Sequence, residues 1–377
     1  MIMKKVLLTA LMLTTFTSAT AFANSAGPST TKDDALQNAI KNDVESFVKT
    51  AYVPYYTINS TKLTVRNYTL QNNVLTAQVD ISLTKTLKAK TVDDVPYVKG
   101  LKKKLSDLKI AKAANVTDAE QVVNDKSKEI GTYIGVAQEQ NDSFRITANV
   151  VNDKLDLKNA KLEFLDFLDW VPATAFIPAT DATISKHGED DLTDAITVNK
   201  KNVMKANTNS AGVITPQSII IQYDRLAARD YANTWTSEVP NGFNESKWNP
   251  GYAHHTESGG VDCANYVSQA ISAGGIPVDT TWKPEAIAWV NTGQSISNGL
   301  KQYMVDTKGY FYQTTKSGVS AGGWIFETNG SHVMFVVAND GVTMLFSAHT
   351  NDRLKASFAN FGSTFNYYYI SASYAIN

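Results

Sequence analysis

A single cysteine among 377 residues is the feature that most constrains how this chain can fold. With Cys263 alone, no intramolecular disulfide can form, so a buried apolar core has to hold the fold together. Hydrophobic residues make up 43% of the chain and charged residues 19%, which is a globular composition. The formal net charge of -1 gives no broad attraction to nucleic acid or to an anionic membrane, so neither is expected as a partner.

The first residues have the pattern of an export signal. Lys4 and Lys5 precede an uncharged apolar run over residues 6–16, and Ala21-Phe22-Ala23 matches a small-x-small cleavage site. The run is shorter than the roughly 20 residues needed to span a bilayer, and no later apolar segment is long enough to do so. We therefore predict a signal peptide over residues 1–23, a secreted protein and no membrane span.

The rest of the chain divides into two halves. Residues 24–185 combine a helical pattern at the start with alternating segments around Asn72-Asn73 and Asn152-Asp153, which predict β-hairpins. This half is predicted to be an α+β domain, and its residues indicate no function. Residues 186–215 are polar and predict a linker, and residues 216–377 form the second domain.

The chemistry is concentrated around Cys263. Residues 263–273 repeat apolar side chains at helical spacing, and Gly274-Gly275 ends the predicted helix. With Asp262 at the N-cap, Cys263 falls in the first turn, where unpaired N–H groups lower a thiol pKa and can bind the oxyanion of a tetrahedral intermediate. Gly259-Gly260 would let the backbone approach a substrate closely. The alternative is a buried cysteine with a purely structural role.

A thiolate nucleophile needs a base, and the chain has five histidines. His332 begins an apolar β pattern, and an imidazole at the mouth of a buried strand is held rigidly enough to act as a general base. His187 falls in the predicted linker and fits a solvated surface residue. Residues that could line the cleft around the thiol are Trp248, His255, Asn265, Ser347 and Asn351.

A third residue should orient the imidazole, and the hairpin after His332 suggests which one. If Asp340-Gly341 form a two-residue type I′ turn, the ladder places His349 directly opposite His332 on the same face. A turn at Asn339-Asp340 would place Ser347 there instead. We predict His349 as the third catalytic residue, with Ser347 as the alternative.

These motifs together resemble a known family. The segment Asp262-Cys263-Ala264-Asn265-Tyr266-Val267-Ser268-Gln269, then Ser331-His332-Val333, then residues 347–353, occur in the order found in the amidase domain of secreted bacterial proteins. That family is related to CHAP-type amidases and NlpC-type cell-wall peptidases, and the resemblance covers about residues 220–365. One departure is Ala321-Gly322-Gly323, where the family usually has a Gly-Asp pair before the histidine strand.

The resemblance implies a papain-like α+β fold, in which a helix that carries cysteine packs on an antiparallel sheet that carries histidine. It implies that Cys263 is the nucleophile and His332 the general base of a cysteine amidohydrolase or peptidase. The implied substrate is a peptide or amide, such as peptidoglycan of the bacterial cell wall, at an extracellular or cell-wall location. No metal or cofactor is expected. The alternatives are a non-catalytic binding module that keeps the fold, and a protein whose first half mediates adhesion.

Overall fold

The computed structural model describes most of the chain, namely residues 31–209, 221–238, 242–256, 261–293, 298–360 and 364–371. The fold is α+β, as predicted. The predicted signal peptide, residues 1–23, lies outside the described residues. Among the helices of the described ranges, none is both long enough and apolar enough to cross a membrane.

Helices and antiparallel strands occur in both halves of the chain. The helices are α1 Thr31–Tyr52, α2 Pro96–Ile110, α3 Val116–Gly131, α4 Asp181–Asn209, α5 Arg225–Thr234, α6 Cys263–Ala273 and α7 Ile287–Val290. The strands are β1 Tyr56–Gln71, β2 Val74–Leu87, β3 Gln138–Val151, β4 Lys154–Leu155, β5 Lys161–Asp166, β6 Asp169–Pro172, β7 Phe311–Thr314, β8 Trp324–Glu327, β9 Val333–Asn339, β10 Met344–Ala348, β11 Arg353–Ser357 and β12 Phe365–Ile370.

In the described part of the first half, six strands form one sheet in the order β1-β2-β3-β5-β6, with β4 paired to β3. Both predicted hairpin turns are confirmed. Asn72 and Asn73 have φ of 51° and 60°, and Asn152 and Asp153 have φ of 49° and 62°, the positive values that a type I′ turn requires. The second hairpin is less regular than predicted, because β4 has only 2 residues and a 3-10 turn precedes β5.

Helix α1 covers one face of this sheet. Val44 and Val48 of the helix are fully buried with Val79, Ile81 and Phe144 of the strands. The helical spacing of the apolar residues in α1 produces this contact, since residues three and four apart share one face of a helix. The helix predicted near the start of residues 24–185 is therefore confirmed.

The described residues of the second half build another six-stranded sheet, in the order β11-β10-β9-β8-β12-β7. All seven residues of β9 are buried. Helix α6 packs on β9 with Val267 and Ile271, both inaccessible to solvent. The strand at β8 forms despite the sequence departure at residues 321–323. A helix that begins at Cys263 therefore lies on an antiparallel sheet whose strand β9 begins directly after His332.

The prediction of a linker over residues 186–215 is wrong as far as Asn209, because α4 continues to that residue. Leu192 and Ile196 of this helix are buried in a small core with α2 and α3. Glycine at position 188 lets α4 approach α2 closely, since a Cβ there would lie 2.2 Å from a backbone oxygen of α2. The polar composition misleads because only a narrow stripe of α4 is apolar. Residues 210–215 lie outside the described residues.

Buried polar contacts join the two halves. On α3, Glu129 accepts hydrogen bonds from Ser320 and Tyr369 of the second half. Its carboxylate also lies 3.1 Å from Lys126 Nζ and 3.6 Å from Arg225 Nε. Burial alone would raise the pKa of Glu129, but the charges of Lys126 and Arg225 and the two hydroxyl bonds hold it below its ordinary value. The buried charge of Glu129 is thus stabilised by Lys126 of its own helix and by groups of the second half.

A second set of contacts surrounds Asp340, in the loop after β9. Tyr56 Oη donates to Asp340 Oδ2 at 2.8 Å, and Gln138 Nε2 donates to the same atom at 3.1 Å. Lys85, fully buried between two tyrosine rings, donates to Thr343 Oγ1 at 2.8 Å. These donors all come from the first half, so its polar sheet face is satisfied by the second half.

Glu129→Ala should lower the free energy of unfolding by about 3 kcal/mol, because it removes the buried carboxylate to which Ser320, Tyr369 and Lys126 bind. The matched control is Glu120→Ala on the same helix, whose side chain is 42% exposed and whose loss should cost less than about 0.5 kcal/mol. Urea unfolding of the full chain measures both variants. Equal midpoints for Glu129→Ala and Glu120→Ala would show that the contact between the halves contributes nothing to stability.

Candidate active site

Cys263 opens helix α6 and is 4% exposed. Asp262 is the N-cap residue, as predicted, but its side chain makes no capping bond to the first turn. The backbone N–H groups of Val333 and Ala264 instead lie near the sulfur of Cys263 and lower its pKa. The sulfur therefore lies beside the first residue of β9, directly after His332. Gly259 and Gly260, which are predicted to let the backbone approach a substrate, lie outside the described residues.

The thiol does not have the low pKa that its place at a helix N-terminus predicts. Burial raises the pKa of Cys263 to about 11, and the backbone N–H groups of Val333 and Ala264 offset this rise only in part. The neighbouring charge of Asp262 raises it further. The free energy needed to remove a thiolate from water is thus larger than the stabilisation that the roughly half positive charge of a helix N-terminus provides. The resting group at neutral pH is the protonated thiol.

His332 is 4% exposed and directly precedes β9. Its carbonyl accepts a hydrogen bond from the backbone N–H of Glu327 at 3.0 Å, which ties the residue to β8. Its imidazole packs on the ring of Phe167, with 4.7 Å between ring centroids. Within the described residues, no group forms a hydrogen bond with Nε2. Burial, and next the charge of His349, lower the pKa of His332 to about 3, so the ring is neutral at neutral pH.

The predicted register between β9 and β10 is wrong. Asn339 pairs with Met344, so the connection is a four-residue loop, and Gly341 alone in that loop has positive φ. Asp340 Oδ1 accepts from the N–H of Val342 and of Thr343, at 3.0 and 2.9 Å, and these bonds favour the longer loop over a type I′ turn.

A register shift inside the ladder then places Ser347 opposite Phe335. Neither Ser347 nor His349 lies opposite His332, so the geometric argument for a third residue fails for both. His349 follows the end of β10 at Ala348 and His332 precedes β9, so both lie outside the paired segments.

His349 instead supports the helix that carries the thiol. Its Nδ1 lies 2.7 Å from Asp262 Oδ2, and its Nε2 lies 2.5 Å from the carbonyl oxygen of Trp235. The ring is 1% exposed and stacks between Trp248 and Tyr266, with centroids 4.2 and 4.1 Å away. Both ring nitrogens thus face oxygen acceptors, Asp262 Oδ2 and the carbonyl of Trp235.

Asp262 connects the segments around the thiol. Besides His349, its carboxylate accepts from Asn265 Nδ2 at 2.8 Å and from the backbone N–H of His255 at 3.1 Å. Its own N–H donates to Thr350 Oγ1 at 2.8 Å. The Asp-Cys-Ala-Asn motif therefore has a structural role, because the side chains of Asp262 and Asn265 hold the neighbouring loops around Cys263.

Two of the residues predicted to line the cleft are core residues instead. Asn265 is inaccessible to solvent, and its Oδ1 accepts from Trp289 Nε1 at 2.8 Å. Ser347 is also inaccessible, donates to Asn233 Oδ1 at 3.1 Å and accepts from the N–H of Lys355 at 3.1 Å. Neither side chain reaches a surface where a substrate could bind. Because the sequence shows their polarity and not their burial, they resembled site residues.

The other three residues predicted to line the cleft differ in their exposure and surroundings. Trp248 is 1% exposed, but its ring contributes with Trp235 and His254 to a pocket of about 430 Å³. His255 is half-buried, with Nε2 3.5 Å from Glu285 Oε1. Asn351 lies in the turn after β10, with φ of 75°. No group of three or more His, Cys, Asp or Glu side chains in the described residues could hold a metal ion.

Comparison with known proteins finds a family match in the second half of the chain. Residues 222–371 match the model of a family described as "Putative amidase domain", so the second half is amidase-like. The uncharacterized protein YjcM of Bacillus subtilis (strain 168) is 26% identical over 181 residues, which cover 44% of this chain. The matched part spans 40% of that relative's length. No solved structure matches the chain.

The low pKa of His332 predicts an acid-sensitive contribution to stability. As pH falls below about 6.5, the unfolded chain binds a proton at His332, while the folded chain does not until pH nears 3. The contribution is therefore complete above about pH 6.5 and is lost as pH falls toward 3. In His332→Asn, the free energy of unfolding should decline less between about pH 7 and pH 5 than in the wild type, as measured by urea titration. Parallel declines would contradict a neutral buried imidazole.

His349→Ala should lower the free energy of unfolding by about 3 kcal/mol, because it empties the space between two aromatic rings and removes a donor from a buried carboxylate. Ser347→Ala, in strand β10 just before His349, removes one hydroxyl and should lower the free energy of unfolding by about 1 kcal/mol. Chemical denaturation of both variants gives the comparison. A milder effect for His349→Ala than for Ser347→Ala would mean that the contact with Asp262 does not hold the helix in place.

Proposed function

We propose that the second half of the chain is a cysteine-dependent amidohydrolase or peptidase, with Cys263 as nucleophile and His332 as general base. One observation carries the proposal. The backbone N–H of Val333 lies near the sulfur of Cys263 and lowers its pKa, and Val333 directly follows His332, whose Nε2 has no partner among the described residues. The closeness of the helix N-terminus to the start of β9 supports a nucleophile and a base that act together. The match of residues 222–371 to an amidase family supports hydrolysis of an amide and specifies no nucleophile.

The reaction follows from the protonation states. His332 Nε2 takes the thiol proton as the sulfur of Cys263 attacks an amide carbonyl, so that the C–S bond forms while the carbonyl oxygen becomes an anion. The first-turn N–H groups, which carry no side-chain cap, stabilise that oxyanion. The imidazolium of His332 then protonates the leaving amine as the C–N bond breaks. Water, deprotonated by the same imidazole, hydrolyses the remaining thioester.

The substrate and the location rest on the sequence. The motif order resembles that of secreted amidases related to cell-wall peptidases, and the first residues have the pattern of a signal peptide. We propose that the protein is exported and cleaves amide bonds in peptide material of the bacterial cell wall, with a papain-like arrangement of helix and sheet. The family match describes an amidase domain and specifies no substrate.

A second candidate is a binding module that keeps the fold without catalysis. The observation in its favour is burial, because Cys263 and His332 are each 4% exposed. A substrate carbonyl reaches the sulfur only if neighbouring side chains move. Such a module would bind cell-wall peptides and release no products from them.

The test uses soluble muropeptides, prepared from bacterial peptidoglycan with a muramidase, and mass spectrometry of the products. Wild-type protein should release new amino and carboxyl termini, and Cys263→Ala or His332→Ala should lower the rate on the order of 1,000-fold. His187→Ala, on the exposed side of α4, is the matched control and should retain the full rate. Wild-type rates in Cys263→Ala would refute the nucleophile. Retention of muropeptides with no product from any variant would favour the binding module.

A further inference from the structure

The turn between β5 and β6 carries a first-half residue into the second half. The ladder closes with the pair Asp166 and Asp169, so Phe167 and Leu168 form the turn. Phe167 has φ of 58° and is only 5% exposed, whereas Leu168 is 38% exposed. Positive φ is strained for a bulky side chain that lacks the flexibility of glycine. Such a conformation persists only when the surroundings hold it.

Groups of the second half hold this turn. Arg353, at the start of β11 and 4% exposed, donates from Nη1 to the carbonyl of Phe167 at 3.0 Å and from Nη2 to the carbonyl of Leu165 at 3.2 Å. Asp166 Oδ1 accepts from the backbone N–H of Ala359 at 2.8 Å. A guanidinium presents its donors in a rigid planar fork, so two bonds to one turn fix its orientation as well as its position.

The held turn places the ring of Phe167 on the imidazole of His332. The centroids are 4.7 Å apart and the planes are inclined by 36°. Phe346 and Phe365 contact Phe167 edge-on, at 6.2 and 6.1 Å, and restrict its rotation. No described group bonds to Nε2 of His332, and the residues predicted to orient its imidazole form hydrogen bonds with other groups. The aromatic contact is thus the constraint that the structure offers for the plane of this ring.

We infer that Phe167 is the positioning residue for His332, so that the first half of the chain supplies part of the catalytic apparatus. This inference rests on the proposed function for its catalytic meaning. The ring fixes the plane of the imidazole, excludes water from one face and leaves Nε2 free for the proton of the thiol. A polar orienting group is unnecessary where packing alone restricts the ring. The role also gives a reason for the strained turn and for its two bonds to Arg353.

The test compares Phe167→Ala with Leu168→Ala in the full chain. NMR follows the Cε1–H resonance of His332, assigned by its absence in His332→Gln. In wild-type protein this resonance should not titrate between about pH 5 and pH 8, because burial and then His349 hold the pKa at about 3. In Phe167→Ala, water reaches the ring and the midpoint should move toward the ordinary value of about 6.5. Leu168→Ala should behave as wild type.

The second readout is the rate of amine release from soluble muropeptides at saturating and at limiting concentration. Phe167→Ala should lower kcat about tenfold with KM unchanged, as expected when a base is misaligned and binding is intact. Should Phe167→Ala fail to fold by circular dichroism, Phe167→Leu replaces it. Leucine fills much of the space without a flat ring, so we expect a loss of about threefold in kcat and a partial rise in the titration midpoint.

A folded variant at residue 167 with the wild-type titration and the wild-type kcat would overturn the inference. The titration needs no substrate, so it is separable from the proposed function. If Cys263→Ala hydrolysed muropeptides at the wild-type rate while Phe167→Ala still shifted the titration of His332, the proposed nucleophile would fail and the positioning of the imidazole would stand.

Discussion

The carboxylate of Asp262 is the interaction on which the site depends. It is 1% exposed and binds His349, Asn265 and the backbone of His255, which belong to three different segments. A buried carboxylate is tolerable only when its hydrogen bonds are all made, so each segment is held by the need to satisfy the same group. Because its carboxylate binds these three segments, the Asp262 side chain does not cap helix α6, and the backbone N–H groups of the first turn stay uncapped beside Cys263.

Buried polar groups join the two halves, in addition to apolar contacts such as that of Phe167 with the core of the second half. Glu129, Asp340 and Arg353 each make their main contacts across the boundary. Hydrogen bonds to charged buried groups are directional and strongly destabilising when broken. They therefore fix the relative placement of the halves, and with it the point at which Phe167 reaches His332. An apolar interface of the same size would allow more sliding.

The sequence predicts the features that depend on neighbouring residues. The Asn72-Asn73 turn and the start and end of the helix at Cys263 follow from local chemistry and are confirmed. The loop after β9 could not be predicted, because Asp340 is held by Tyr56 and Gln138 from far along the chain. The thiol pKa is a similar case: the helix end is visible in sequence, whereas the burial that outweighs it is a property of the folded core. The contact of Phe167 with His332 leaves no sequence signal at all.

The raised pKa of Cys263 and the lowered pKa of His332 have one cause, since burial penalises the charged form of each. A thiolate–imidazolium pair is thus unfavourable in the closed site, and the proton moves only as the sulfur bonds to a carbonyl carbon. At that moment the negative charge passes to the substrate oxygen, where first-turn amides can bind it, and the imidazolium gains a nearby counterion. A protonated thiol is also the less oxidisable form of cysteine. For an unpaired cysteine in a protein proposed to act outside the cell, burial of the resting pair protects the nucleophile until a substrate is in place.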